Sequence, residues 1–214
     1  MLTVKAFSFN PVEENTYILY NEKKLCCIID PGCYFPNERE ELKEFIDKNA
    51  LQPMLLINTH CHLDHVFGNK FVHDTWGLLL HIHEKEKPML DLAPAAGQLW
   101  QLPFDNYNDE LVYIKEGSVI KLGDDELNVR LAPGHSPGHV IFYNEPGGFA
   151  IVGDVLFNGS IGRTDLPGGN FEILINSIQT QLFTLPDETK IYPGHGQITT
   201  IGFEKMNNPF VKLY

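Results

Sequence analysis

The chain has 214 residues, 43% hydrophobic and 11% aromatic, and its 28 acidic against 16 basic side chains leave a formal charge of −12. This length suits one domain with a sizeable core, expected to span 1–214 without a separate C-terminal domain. The acidic balance and the lack of a basic cluster argue against nucleic acid as a partner. With no run of 18 apolar residues and no signal-peptide pattern, the expectation is a cytoplasmic protein that does not enter a membrane.

The opening "TVKAFSFNPVEENTYILY" reads as two extended stretches joined by a polar turn, and "LCCIIDPG" as a third, closed by Asp30, Pro31 and Gly32. In "NEREELKEFIDKN" the spacing of Leu42, Phe45 and Ile46 predicts a helix, with Glu38, Glu40 and Glu41 near its start, where acid groups suit the dipole. The buried strand "MLLIN" follows, so strand, helix and strand form an α/β unit. From Phe71 to Trp100 the pattern is helical but broken by Pro88, Pro94 and Gly97. A hairpin pattern runs through "SVIKLGDDELNVRLAP", turning at Gly123 and Asp124, and "HVIFYN" with "GFAIVGD" forms another. A helix from about Phe171 to Phe183, the strand "KIYP" and an amphipathic segment from Thr199 complete the chain. Two sets of strands separated by helices predict two mixed sheets with helices outside. Cys26, Cys27, Cys33 and Cys61 show no CxxC spacing and read as buried free thiols.

One short stretch carries chemistry. "INTHCHLDHVFGN" sets His60, His62, Asp64 and His65 on a loop directly after an apolar strand, where they can serve two neighbouring metal ions. A dinuclear site needs more donors than that loop holds. His139 in "PGHSPGH", Asp154 in "VGD" and His195 in "YPGHG" each stand at a strand edge beside glycine, where backbone can approach an ion closely.

In order, "THCHLDH", "PGHSPGH", "VGDVLF" and "YPGHG" resemble the blocks of the metallo-β-lactamase superfamily, most closely its glyoxalase II-like (hydroxyacylglutathione hydrolase-like) branch of small single-domain members. "GSIGRTDLPGG" resembles a loop of the same branch. The resemblance implies an α/β fold, a four-layer αββα sandwich of two mixed β-sheets flanked by helices. It also implies that His60, His62 and His139 hold one ion, that Asp64, His65 and His195 hold the other, and that Asp154 bridges them. Two divalent ions are expected, zinc first, with iron or manganese as alternatives. A hydroxide between them would attack a small-molecule thioester, so Asp64 and Asp154 take catalytic parts. Arg163 would either grip a substrate carboxylate or pair with Asp165.

The main rival is a mononuclear iron persulfide dioxygenase using His60, His139 and Asp154; a non-catalytic metal-binding scaffold is the plainer alternative. Around the centre, His135 is read as a hydrogen-bonding group within its loop, Asn58 and Thr59 as orienting the ligands or making a turn, and Cys61 as facing away. His81 and His83 fall in a charged stretch and are expected at the surface.

Overall fold

The computed structural model describes residues 1–211. The chain divides into two compact units: residues 1–114 with 121–126, and residues 115–120 with those from 127 on.

The first unit is built on β1 (Thr3–Phe9), β2 (Glu14–Tyr20), β3 (Leu25–Ile29), β4 (Gln52–Ile57), β5 (Leu80–His83) and β6 (Leu111–Ile114). They lie in that order in one sheet, antiparallel from β1 to β3 and parallel from β3 to β6. Because β3 and β4 are parallel, their C-terminal ends share one edge of the sheet, and Asp30 N donates to Ile57 O across it (3.0 Å). The loop holding His60 to His65 leaves from this edge.

Helix α1 (Pro36–Lys48) crosses between those strands. Pro36 occupies its first turn, where no intrahelical N–H is needed. The Glu38 carboxylate turns back to accept from the backbone N–H groups of Tyr34 (2.8 Å), Phe35 (2.9 Å) and Asn10 (2.7 Å), which pins the helix start. Leu42 and Ile46 are buried with Phe7, Phe9, Ile18 and Ile28, as the stripe predicts. Each such burial contributes roughly 1.5–3 kcal/mol.

Residues 71–100 depart from the expected broken helix. Helix α2 (Leu63–Val66) and α3 (Asn69–Trp76) precede strand β5, and α4 (Lys87–Leu99) runs through both Pro94 and Gly97. Pro88 lies in the first turn of α4, where it costs no hydrogen bond. Pro94 has no N–H for the Leu90 carbonyl, and Asn106 Nδ2 donates to that oxygen instead (2.8 Å). His83, expected at the surface, is buried, because "LHIH" pairs with both β4 and β6 as a sheet strand.

The second sheet has the order β14-β13-β10-β9-β8-β7. Its strands are β7 (Val119–Leu122), β8 (Asp125–Leu131), β9 (Val140–Asn144), β10 (Phe149–Gly153), β13 (Lys190–Pro193) and β14 (Thr199–Thr200). The pair β10 and β13 is parallel, while β8 with β9, β9 with β10 and β13 with β14 are antiparallel. Every residue of β9 and β10 is buried, which accounts for their unbroken apolar character. Helix α5 (Phe171–Ser177) continues into a widened turn over 178–182, with Phe183 N donating to Ile178 O. Leu174, Ile178 and Leu182 pack with Ile141, Tyr143, Ala150, Val152 and Ile191, and with Ile201 of helix α6 (Ile201–Asn207). The fold class is therefore the expected one: α/β, two mixed sheets with helices flanking them. No helix among the described residues is long and apolar enough to cross a membrane.

All four cysteines are free and buried, and burial pushes the thiols of Cys26 and Cys33 up to about 12. Two outcomes are expected. Asn106→Ala leaves the Leu90 carbonyl without a donor and costs about 1–3 kcal/mol in urea unfolding. Iodoacetamide at neutral pH leaves the native chain unmodified, while the unfolded chain takes up four alkyl groups by mass.

Candidate metal centre

Asp30 organises the histidine loop of the first unit. It follows β3 with φ of 48°, a left-handed conformation that costs a non-glycine residue energy and that surrounding bonds must sustain. Its buried carboxylate accepts from Thr59 N (2.7 Å), Thr59 Oγ1 (2.6 Å) and Asn58 Nδ2 (3.1 Å), and lies 3.1 Å from His65 Nδ1.

These contacts decide the histidine tautomers. The one Thr59 hydroxyl proton goes to Asp30, so toward His60 Nδ1 (3.1 Å) the hydroxyl oxygen accepts, and His60 carries its proton on Nδ1. His65 likewise donates Nδ1–H to Asp30. Both rings then have an Nε2 lone pair that could serve a metal ion, with His65 oriented from behind by a carboxylate and His60 by a hydroxyl.

The rings are close-set: His60 and His62 have centroids 4.8 Å apart, and His60 and His65 4.1 Å. Donor atoms of Asp30, His60 and His65 all lie within 4.8 Å of one another. Asp64 Oδ2 is 3.5 Å from His65 Nε2. The loop backbone is held as firmly. Asn58 Nδ2 donates to His65 O (2.8 Å), Asn69 Nδ2 to Asn58 Oδ1 (2.7 Å), Asn10 Nδ2 to Asp64 O (3.1 Å), and Cys61 N to the buried Glu86 carboxylate (2.8 Å). Asn58 and Thr59 thus brace the His60 and His65 rings and loop rather than merely making a turn. Behind His65, burial pushes the Glu14 carboxyl well above the usual carboxylate range, with Thr16 Oγ1 donating to it (2.9 Å). Cys61 is buried, and burial raises its thiol well above the ordinary value, which does not suit a nucleophile.

In the second unit Asp154 follows β10. Its backbone N–H donates to His139 Nε2 (3.1 Å), which makes His139 an Nδ1-protonated ring serving the Asp154 main chain. His135 has the reverse disposition. Its Nδ1 donates to Arg163 O (2.8 Å), and its Nε2 lies 3.5 Å from Asp154 Oδ2. His195 Nε2 lies 3.6 Å from the same oxygen. The Arg163 guanidinium is turned outward, with Nε and Nη2 each 2.8 Å from the Asp165 carboxylate oxygens. That bond holds the Asp165 carboxyl at about 2.

Asp154 and Arg163 stand at the two ends of a tight hairpin, β11 (Leu156–Phe157) and β12 (Ser160–Ile161). Gly162 closes it so closely that a Cβ there would fall 1.8 Å from Asp154 O and 3.0 Å from His135 Nδ1. Helix α6 clamps the tip: the buried Glu204 accepts from Gly159 N (3.1 Å), and Asn208 Nδ2 donates to Ser160 O (3.0 Å).

Neutral imidazoles with Nε2 lone pairs, set beside ionisable carboxylates, are the nitrogen and oxygen donor set that zinc, iron and manganese accept, so these residues fit the implied ions. Asp30, Glu14, Glu86 and Glu204 were not singled out as site residues in the sequence. Only Asp30 left a signal there, as an acid ending a buried strand in "IIDPG".

Residues 10–195 match the metallo-β-lactamase superfamily, and this single match runs across both units. The chain is 36% identical over 216 residues to the hydroxyacylglutathione hydrolase GloC of Haemophilus influenzae, covering 98% of each. Among solved structures it is similar to the B3 metallo-β-lactamase BLEG-1, with TM-score 0.88, 35% identity and coverage of 98% and 99%. It is similar also to the di-iron-bound form of TTHA1623, with TM-score 0.88, 34% identity and coverage of 97% and 100%. The chain belongs to the metallo-β-lactamase superfamily and is a metal-dependent hydrolytic enzyme.

Gly162→Ala tests the hairpin. It is expected to displace Asp154 O and lower metal affinity at least about tenfold by chelator competition, with far-UV circular dichroism unchanged.

Proposed function

We propose that the chain is a dinuclear metallohydrolase that cleaves a thioester of the hydroxyacylglutathione type. His60, His62 and His135 would hold one ion and Asp64, His65 and His195 the other, with Asp154 offered to both. The observation that carries this reading is a shared tautomer pattern. His60, His65 and His135 each engage Nδ1 with a fixed oxygen and keep Nε2 as the donor.

His139 was the expected ligand, but its Nε2 already accepts from Asp154 N–H, so we assign it to holding Asp154 in place. Arg163 acts through its carbonyl on His135, while its side chain pairs with Asp165.

Divalent ions bound there would supply Lewis acidity and lower the pKa of a bound water toward neutrality. The chain's part is to set the charge and the geometry. The Asp64 and Asp154 carboxylates would offset half of the four positive charges of two divalent ions, and the hydrogen bonds behind the imidazoles keep the rings from rotating. No serine or cysteine nucleophile is needed, in accord with the buried Cys61.

The likeness to GloC supports the thioester, and the likeness to TTHA1623 supports two ions, iron among them. The likeness to BLEG-1 favours a second reading, hydrolysis of a β-lactam amide by the same centre.

Elemental analysis of chain purified without chelator is expected to give about two ions per chain, with oxygen-independent cleavage of S-lactoylglutathione. A single iron with oxygen consumption on glutathione persulfide would overturn the hydrolase in favour of the dioxygenase. Faster turnover of a cephalosporin than of the thioester would establish the second reading. His135→Ala is expected to lose at least one ion per chain and His139→Ala to retain both; the opposite result would restore His139 as the ligand.

A further inference from the structure

We propose that a cleft in the first unit, lined by Arg39, Phe67, Lys70, Phe71, Asp74 and Asp105, binds the zwitterionic α-amino-acid head of the thiol that the substrate carries. The inference rests on the thioester reading and extends it to how the remote end of the substrate is held.

Arg39 is the starting point. The chain has three arginines. Arg163 is bidentate to Asp165, and Arg130 donates to Gln181 O and Thr184 Oγ1. Arg39 is held differently. Its Nε donates to Cys33 O (3.3 Å), and its guanidinium carbon lies 5.8 Å from the centre of the Phe71 ring. Among the described residues no carboxylate pairs with it. A guanidinium fixed through Nε and an aromatic face keeps both terminal nitrogens for a ligand, and that planar fork matches a carboxylate.

The rest of the cleft suits an ammonium group. Lys70 Nζ lies 2.7 Å from Asp74 and 3.9 Å from Asp105, so two carboxylates face one ammonium and one negative charge remains uncompensated. Phe67 and Phe71 supply apolar surface between the two signs of charge. Arginine on one side and spare acid on the other complement the carboxylate and ammonium of an amino acid together, whereas a simple anion would meet repulsion from Asp74 and Asp105. The cavity is small, about 160 Å³, so the cleft takes the head of the substrate alone.

Its placement is apt for a substrate. Arg39 lies in the first turns of α1 and Lys70 in the first turn of α3, and these helices start beyond the C-terminal ends of β3 and β4. Asp30 and the His60–His65 loop leave the sheet at the same ends, and open α/β sheets receive their ligands outside the carboxyl ends of their strands. Phe67 and Lys70 follow His65 in the chain by two and five residues.

The test pairs binding with kinetics on the full chain. Reduced glutathione titrated into the wild type by calorimetry is expected to bind, and Arg39→Gln to weaken it about tenfold or more. Arg39→Lys, which keeps the charge but not the fork, is expected to recover only part of the loss. Arg39→Gln should raise KM for S-lactoylglutathione by a similar factor with kcat nearly unchanged. It should leave KM unchanged for S-lactoyl-N-acetylcysteamine, which has no amino-acid head. Glutathione binding unaffected by Arg39→Gln would overturn the inference while leaving the hydrolase intact. Arg39-dependent glutathione binding without thioester cleavage would uphold the cleft and sink the thioester reading.

Discussion

A single buried carboxylate sustains the metal-binding loop. Asp30 sits in a backbone conformation that is costly for aspartate, yet the same position lets one side chain receive Thr59 N, Thr59 Oγ1, Asn58 Nδ2 and His65 Nδ1 together. A buried anion is tolerated only when its oxygens are fully engaged, and here each donor also fixes something the chemistry needs. The Thr59 hydroxyl sets the His60 tautomer, the bond to His65 sets its ring, and Asn58 ties the loop backbone at His65 O. The His60–His65 loop is thus specified one layer behind its imidazoles.

The second unit solves the same problem with main chain. A carbonyl, Arg163 O, does for His135 what Asp30 does for His65, and an N–H, that of Asp154, engages His139. Backbone can do this only if the hairpin between Asp154 and Arg163 is rigid and closely packed. Gly162 permits the close approach, and α6 holds the tip through Glu204 and Asn208. The dependence on glycine and on a distant helix is the cost of orienting imidazoles with atoms that every residue possesses.

The acidic composition is consistent with this economy. Several carboxylates are committed internally: Glu38 to the start of α1, Glu86 to the Cys61 backbone, Glu204 to the hairpin and Asp30 to the histidine loop. Their role is to organise backbone and imidazole.

Much was legible from the sequence, because periodicity and motif are local. Alternation and apolar runs placed β1 to β4, β9, β10 and β13, the 3.6-residue stripe placed α1, and the blocks around His60, Asp154 and His195 marked where donors leave strand ends. What is non-local was not legible. Strand β5 looks helical in isolation, since its four residues become strand only by pairing with β4 and β6, and Pro94 stays inside α4 only because Asn106 serves the Leu90 carbonyl. The parts of His135 and His139, four residues apart in one loop, rest on which ring nitrogen meets Arg163 O and which meets Asp154 N–H. The sequence by itself determined the donor inventory and the class of fold. Only tertiary structure, by bringing an oxygen or an N–H within 3 Å or so of the His60, His65, His135 and His139 rings, decided which nitrogen of each of these four is engaged.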